Sequence, residues 1–406
     1  MDSEKPVEHN TRKNVVLLGL VSFINDTSSK IIMPILPLFI AQIGGGGMAL
    51  GIISGISDSL ASFLKMFAGY WSDRAGKRKT YVISGYLVSS VAKLLFIFAS
   101  QWPHVLALRV LERFGKGVRS APRDALLAGS VEQKQRGRGF GIHRAMDSGG
   151  AVLGTLIAFG LFWFLGFSFI EIFAVAGVIS FVSLVPLFFV RERARAAKKK
   201  PPSFSLRRLS PELKKFVTVA FLFALANFSY MFFVLRSQDA FSGEFAIAMP
   251  ILLYAVYNLS YTLFAVPAGI LSDTIGRRQV LLMGYGLFAL VSTGFIFASS
   301  LTTYLILFVL YGLNYALVNA NERAYVADLA EDAIRGTALG TYHMATSIAT
   351  LPAGLAAGFL WELDPVYTFA FGAVLAVTAM AVLALGLGKG EADVPEHPLR
   401  QPQRGS

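Results

Sequence analysis

Ten of the charged side chains that fall inside long apolar stretches of this sequence are of types that suit two kinds of chemistry. Asp26, Glu112 and Asp147 are carboxylates able to exchange a proton. Lys30, Lys93, Arg109, Arg113, Lys116 and Arg144 are cations able to hold an anion, and Asp58 is a further acid beside them. A charge near the centre of a bilayer costs at least ~2.5–3.5 kcal/mol on insertion scales, so each is expected to face a partner or a wet cavity. Glu112, Lys116, Arg119 and Arg123 recur at i, i+4, i+7 and i+11, which lines them along one helical face, with Arg109 and Arg113 close by. Cations outnumber acids in this set. A cavity of that sign favours an anionic or zwitterionic ligand, as in Arg/Lys-lined anion pores. A carboxylate that alternates between wet and dry surroundings can load and release a proton. The competing reading is an internal salt network, because Asp26–Lys30 and Glu112–Lys116 are i,i+4 pairs and Arg144–Asp147 is an i,i+3 pair.

The elements that must position these charges are membrane spans. Of 406 residues, 54% are hydrophobic and 15% charged, and the mean hydropathy is +0.58; soluble chains carry more charge. Apolar stretches of bilayer length recur along nearly the whole chain. Twelve spans are expected over 14–41, 48–71, 80–99, 104–127, 137–162, 167–190, 214–240, 246–271, 279–299, 303–328, 336–361 and 366–388. The fold class is therefore an all-α membrane protein, with twelve transmembrane helices in two six-helix pseudo-symmetric bundles. Connections near 42–47, 100–103, 163–166, 241–245, 300–302 and 362–365 contain no Lys or Arg, whereas every alternate connection contains some. This bias predicts a multi-pass protein of the cell (inner) membrane with both termini in the cytoplasm. The expected units are an N-terminal segment over 1–13, a first bundle over 14–190, a basic linker over 191–213, a second bundle over 214–388 and a tail over 389–406. Residues 1–13 are polar, and no cleavable leader is expected. The net charge of +12 sits in short loops and the linker, so nucleic acid is not an expected partner. With no cysteine, thiolate metal sites and disulfides are excluded; no metal site or cofactor is expected.

One loop occurs twice, about two hundred residues apart: Gly69-Tyr-Trp-Ser-Asp73-Arg74-Ala-Gly76-Lys77-Arg78 and Gly269-Ile-Leu-Ser-Asp273-Thr-Ile-Gly276-Arg277-Arg278. Arg136-Gly137 and Arg335-Gly336 repeat at the openings of spans 5 and 11. Parallel repeats of six spans are related by an axis along the membrane normal.

With these two loops between spans 2–3 and 8–9, the chain resembles the major facilitator superfamily over roughly residues 14–388. The resemblance implies a secondary transporter using alternating access, with the loops helping to lock a cytoplasmic gate. By it, Asp73 and Asp273 cap a neighbouring helix or pair with an Arg across the bundle, and Arg74, Lys77, Arg78, Arg277 and Arg278 anchor to headgroups and carboxylates. Thr274 stands where the first copy has Arg74, which implies a weaker second latch. The bland alternative is a tight turn whose glycines allow close packing and whose cations fix topology. Arg109-Val-Leu-Glu112-Arg113-Phe-Gly115 is similar to the family's span 4 motif, whose buried Arg is associated with proton coupling. Asp147-Ser-Gly149-Gly150-Ala-Val-Leu-Gly154 keeps the glycines of the drug-antiporter signature in span 5 but lacks its Gly-Pro pair.

The second half carries neutral mid-depth groups, Asn227, Asn258, Asn314 and Asn319, suited either to substrate or to helix–helix bonds. Arg236 and Asp239 are candidates for an extracellular gate. Glu322-Arg323 occupies the repeat position of Arg123-Asp124 with signs reversed, so these four are candidates to pair across a cytoplasmic closure. His143 and His343 suit a proton relay or plain packing. Gly51/Gly55, Gly150/Gly154 and Gly354/Gly358 suit close helix approach. Pro34, Pro37, Pro267 and Pro352 are candidate kinks. Three function classes compete. A transporter of a small organic solute, coupled to protons and monomeric, is favoured by span count, repeats and gate loops; multidrug efflux and an uncoupled facilitator are its variants. An intramembrane enzyme is disfavoured because no zinc motif, Ser/His/Asp set or nucleotide loop stands out, and Gly115-Lys116-Gly117 is too short for a phosphate loop. A receptor or scaffold is disfavoured because nothing resembles a signalling domain.

Overall fold

The computed structural model describes residues 5–131, 136–192, 209–331 and 334–386. Most of the expected linker and the whole tail over 389–406 lie outside them. Among the described residues the only regular structure is helical. Fourteen α-helices occur in chain order: α1 (Lys5–Gln42), α2 (Gly47–Ala75), α3 (Arg78–Leu95), α4 (Trp102–Gly129), α5 (Arg136–Trp163), α6 (Phe169–Val182), α7 (Val185–Phe189), α8 (Pro211–Ala226), α9 (Tyr230–Gln238), α10 (Phe245–Ile275), α11 (Arg277–Phe297), α12 (Leu301–Asp328), α13 (Arg335–Leu363) and α14 (Pro365–Gly386).

Eleven helical stretches are long and apolar enough to cross a bilayer. The twelfth crossing is α4, which has 28 residues but carries charges from Arg109 to Asp124. It packs between α2 and α3. Two expected spans are broken. Span 6 divides into α6 and α7 just before Pro186. Span 7 divides at Asn227–Ser229, where the Ser229 hydroxyl accepts the Met231 amide and starts a new helix. By contrast Pro34, Pro37, Pro267 and Pro352 sit inside helices that continue through them.

The repeated loops end α2 and α10. Gly76 has φ 65° and Gly276 φ 95°, conformations that favour glycine, which accounts for the fixed Gly in both copies. Asp73 takes its own loop's Arg78 at 2.5 Å. Asp273 takes Arg277 at 2.6 Å, and Arg277 reaches Asp328 of α12 at 3.3 Å. The expected capping or pairing of these Asp residues across the bundle is therefore absent among the described residues. The carboxylate at the α3 N-terminus is instead Glu192, which accepts the Arg78 and Lys79 amides at 2.7 and 3.1 Å.

The two halves meet chiefly through α2 against α13 and α5 against α10. At the end away from the repeated loops, α2 and α13 touch backbone to backbone. A Cβ on Gly51 would lie 2.1 Å from the Gly354 carbonyl, and one on Gly358 would lie 2.7 Å from the Gly47 carbonyl. Glu362 of α13 accepts the Met48 amide of α2 at 3.0 Å. Within the first half, Gly150 and Gly154 bring α5 equally close to Phe23 and Thr27 of α1. Arg236 and Asp239 do pair, at 3.1 Å, but on one helix end; the halves are joined at this end by the α2–α13 contact and by Trp163 of α5 against Phe245 of α10, ring centres 5.1 Å apart.

Replacing Gly354 by Val should open that closure. Overpacking costs roughly 1–3 kcal/mol, enough to shift a two-state population by about 5- to 150-fold. The chain has no cysteine, so a single Cys at Leu351 is the only thiol. Its reaction with an impermeant maleimide added at the face opposite the repeated loops should accelerate in Gly354→Val, and an unchanged rate in normally folded protein would contradict the closure.

Candidate functional site in the central cavity

A cavity of about 1320 Å³ lies between the halves. Its lining runs from Ile56 to Lys65 along α2, from Arg109 to Ala121 along α4 and from Leu351 back to Gly340 along α13. At about 1.5 Å per residue, it extends from mid-span toward the end carrying the repeated loops. At the opposite end the halves meet through the glycine contact and the Trp163–Phe245 ring pair.

The first-half wall holds most of the charges expected there. Asp26, Lys30, Asp58, Arg109, Glu112, Arg113, Lys116, Arg144 and Asp147 all line it, together with Lys65, which the sequence reading passed over. Arg109 and Glu112, 2% and 3% exposed, form a buried ion pair one turn apart. Arg109 Nε and Nη2 have no hydrogen-bond partner. Arg113 Nε lies 3.1 Å from Asp58 Oδ1, at an angle that makes an ion pair but not a hydrogen bond. Arg144 reaches Asp147 at 3.3 Å. The carboxyls of Asp26 on α1 and Asp147 on α5 are neighbours at the cavity wall. Among the described residues, Lys65 and Lys116 have no carboxylate within ion-pair distance. The lining thus holds six cations against four carboxylates.

The expected stripe on α4 divides. Glu112 and Lys116 face the cavity. Arg119 turns into the first half, 3% exposed, with its guanidinium 4.2 Å from the Tyr86 ring centre and a 2.6 Å bond to Ser89. Arg123 pairs with Asp124 at 2.9 Å and donates to Ser22 at 3.1 Å. Ser22 in turn meets His143 Nε2 at 2.9 Å, so that histidine is part of the packing within the first half. Lys93 also lies away from the cavity lining. It is fully buried between α1, α3 and α6 and bonds Asn25, Ser28 and Ser180.

The second-half wall is neutral. Asn227, Asn258, Asn319 and His343 line it, Asn258 donating to the Tyr254 carbonyl and Asn319 accepting from Arg323. Asn314 does not line it; its amide donates to the Gly284 carbonyl and ties α12 to α11. The groups missed by the sequence reading are tyrosines. Tyr254 accepts from Lys30 at 3.2 Å, Tyr261 accepts from Arg144 at 2.7 Å, and Tyr230 donates to the Met33 carbonyl at 3.1 Å. Tyr254, Tyr257, Tyr261 and Tyr315 share α10 and α12 at helical spacing, a signal present in the sequence but indistinguishable there from core packing. Glu322 does not meet Arg123: it is buried and accepts the Tyr285 and Tyr342 hydroxyls, each at 2.7 Å.

A bilayer-spanning, two-bundle helical fold around a central polar cavity that is closed at one end defines a membrane transporter. The family model of the Major Facilitator Superfamily matches residues 18–252 and 240–405, and the chain belongs to that family. An uncharacterized MFS-type transporter of Methanocaldococcus jannaschii is 44% identical over 375 residues, covering 91% of this chain and 94% of the relative. The multidrug resistance protein MdtG of Dickeya zeae is 28% identical over 206 residues, about half of each chain (49% and 49%). A crystal structure of the nucleoside transporter NupG has a TM-score of 0.76 at 14% identity, covering 91% of this chain and 99% of that one; this likeness is one of fold.

The Arg109–Glu112 pair gives a stability test. Breaking a buried pair costs about 3–5 kcal/mol, whereas replacing both members with apolar groups is often near neutral. Glu112→Leu should lower the melting temperature of the purified protein strongly, and Arg109→Met/Glu112→Leu should recover most of the loss. A double variant as unstable as the single one would contradict a self-contained pair.

Proposed function

We propose that this family member is a secondary active transporter that moves a small organic solute by alternating access, coupled to protons. The observation that carries the proposal is that Asp26 and Asp147 are neighbours at the cavity wall. Two neighbouring carboxylates cannot both ionise without strong repulsion, so such a pair holds one proton between them. Glu112 is engaged by Arg109, Asp58 by Arg113 and Asp147 by Arg144; what favours Asp26 and Asp147 as the proton carrier is that they set two carboxyls against each other. The excess of cations on the same wall favours an anionic or zwitterionic amphipathic solute, held by Lys116 and Arg113 on one side and by Asn227, Asn258 and Asn319 on the other. The similarity to MdtG over half the chain supports a second reading, proton-coupled multidrug efflux.

The positive-inside bias places the repeated loops and both termini in the cytoplasm, so the cavity extends toward the cytoplasmic side. The bundles over 14–190 and 214–388 then rock about the solute, joined by the basic linker. On closure at the cytoplasmic side, Arg123 and Asp124 would exchange their local partners for Glu322 and Arg323 of the other half, with the Asp73 and Asp273 loops locking the closed form. The protein works as a monomer in the inner membrane.

Reconstituted in liposomes and screened with organic anions, zwitterions and cations, the protein should accumulate an anion or zwitterion when a pH gradient is imposed. Asp147→Asn should remove the gradient dependence while solute exchange persists. Uptake indifferent to the gradient in the wild type would refute coupling, and transport of cations alone would refute the charge preference. For the gate, Arg123→Glu and Glu322→Arg should each abolish transport and the double swap should restore part of it; a dead double swap argues against the pairing.

A further inference from the structure

We infer that the cavity holds a subsite for an aromatic anion, built from a corner of two tyrosines in the second half and Lys116 in the first. This inference rests on the proposed anionic solute and names its chemical class. Six tyrosines line the cavity: Tyr230, Tyr254, Tyr257, Tyr261, Tyr311 and Tyr315. Three of them pack on one another. Tyr257 stacks on Tyr254 with ring centres 5.4 Å apart and on Tyr311 at 4.8 Å. Tyr254, Tyr257 and Tyr311 are only 1%, 7% and 4% exposed, so this column has little ring surface left for a solute.

Tyr261 and Tyr315 differ. Both are half-buried, and their rings stand nearly perpendicular, 4.9 Å apart at 77°. Such a pair forms a corner at the cavity wall. A flat ring placed in it meets one tyrosine face to face and the other edge to face, the two arrangements that the ring quadrupole favours. A saturated ring of the same size gains burial alone. The corner therefore selects for π systems, which a general apolar wall does not.

Hydrogen bonding says what the ring must carry. Tyr261 accepts from Arg144 Nη2 at 2.7 Å, so its own hydroxyl proton remains available to a solute. The Tyr315 hydroxyl has no hydrogen-bond partner among the described residues. Lys116 is exposed and lines the cavity, with no carboxylate within ion-pair distance among the described residues. Each of the three is a donor without an acceptor, and an anionic head group supplies acceptors. They also share a depth. The helices α4, α10 and α12 all start at the end away from the repeated loops. Lys116, Tyr261 and Tyr315 lie about 21, 24 and 21 Å along them. The other cations fit less well. Lys30 is held on the buried Tyr254, 5.3 Å over its ring and 3.2 Å from its hydroxyl. Arg113 pairs with Asp58. Lys65 lies about 27 Å along α2, nearer the repeated loops.

The test is equilibrium binding to the purified full chain, measured by calorimetry with three probes of one skeleton. They are 2-naphthylacetate, its saturated counterpart decahydro-2-naphthylacetate and the neutral 2-naphthylacetamide. The naphthyl anion should bind about tenfold more tightly than the saturated one, the scale of two aromatic contacts. Burial alone would level or reverse that order, because the saturated skeleton has the larger apolar surface. The amide should bind about tenfold more weakly than the naphthyl anion, the scale of one hydrogen bond to a charged group. Tyr315→Leu should remove the aryl preference and Tyr315→Phe should keep it, whereas Lys116→Gln should remove the preference for the anion over the amide. A saturated anion bound as tightly as the naphthyl one overturns the subsite, as does binding of none of the three at millimolar concentration. An aryl preference that survives Tyr315→Leu, or an anion preference that survives Lys116→Gln, overturns the placement. If Tyr315→Leu does not fold, the wild-type order of the probes and Lys116→Gln decide. Aryl-selective binding without gradient-driven accumulation would instead refute coupled transport and leave the subsite standing. Gradient-driven uptake of anions with no aryl preference would overturn the subsite and leave the transport reading intact.

Discussion

A charge cannot be left alone in a low-dielectric helix bundle, and this constraint organises the protein. Every ion pair among the described residues closes within one half: Asp58 with Arg113, Arg109 with Glu112, Arg144 with Asp147, Asp73 with Arg78 and Asp273 with Arg277. Charges that lack an ionic partner are either in the cavity, as Lys65 and Lys116 are, or wrapped in neutral oxygens, as Lys93 is. Partnering, water and hydrogen bonding are the three ways of meeting the cost of burial, and the first bundle uses all three. The same constraint gives α4 its place. A helix with charges from Arg109 to Asp124 is a poor lipid-facing element, and it packs between α2 and α3 with its polar side turned to the cavity and to Tyr86.

The halves share a plan but not a chemistry. The repeated loops, with positive-φ glycines at 76 and 276, mark the common plan. At mid-depth the second half substitutes aromatic hydroxyls and amides for ions. Tyr254 and Tyr261 accept from Lys30 and Arg144 across the interface, so the neutral wall is matched in hydrogen-bonding sense to the cationic one. Where the second half does bury an acid, Glu322, it neutralises it with two tyrosine donors. A carboxylate satisfied this way has no need of a cation in the present state.

Much of this was legible in the sequence. Span count and order follow from bilayer-length apolar stretches, and the cavity charges stand out because they are expensive in lipid. Four features were not legible. The break at Asn227–Ser229 depends on a serine cap rather than on proline, and Ser and Asn occur inside many unbroken spans. The division of the α4 stripe depends on helix rotation, and helical spacing alone cannot say whether Arg119 and Arg123 face the cavity or Tyr86. Lys93 is chemically indistinguishable from a cavity lysine until its neighbours are known, because Asn25, Ser28 and Ser180 come from sequence-distant helices. The tyrosine wall shared its spacing with ordinary core, and hydrophobic pattern carries no information about where a hydroxyl points.

Self-contained neutralisation has a mechanical consequence. If ion pairs joined the halves, separating them would expose uncompensated charge at several kcal/mol each, and the two bundles would be locked. Here the hydrogen bonds between nitrogen or oxygen atoms that cross between the halves, among the described residues, are those of Lys30, Met48, Ser59, Arg144 and Tyr230. Ordinary hydrogen bonds contribute about 0.5–1.5 kcal/mol net, and those to charged groups about 1.5–3. Their total is of the same order as the roughly 5.5 kcal/mol that carries a two-state equilibrium from one extreme to the other. In the proposed cycle a solute and a proton bound at the cavity wall would act on Lys30 and Arg144 directly, two of the five crossing points. The site proposed to recognise the solute would then also be the site whose bonds hold this conformation, which is the condition for binding energy to drive a change of access.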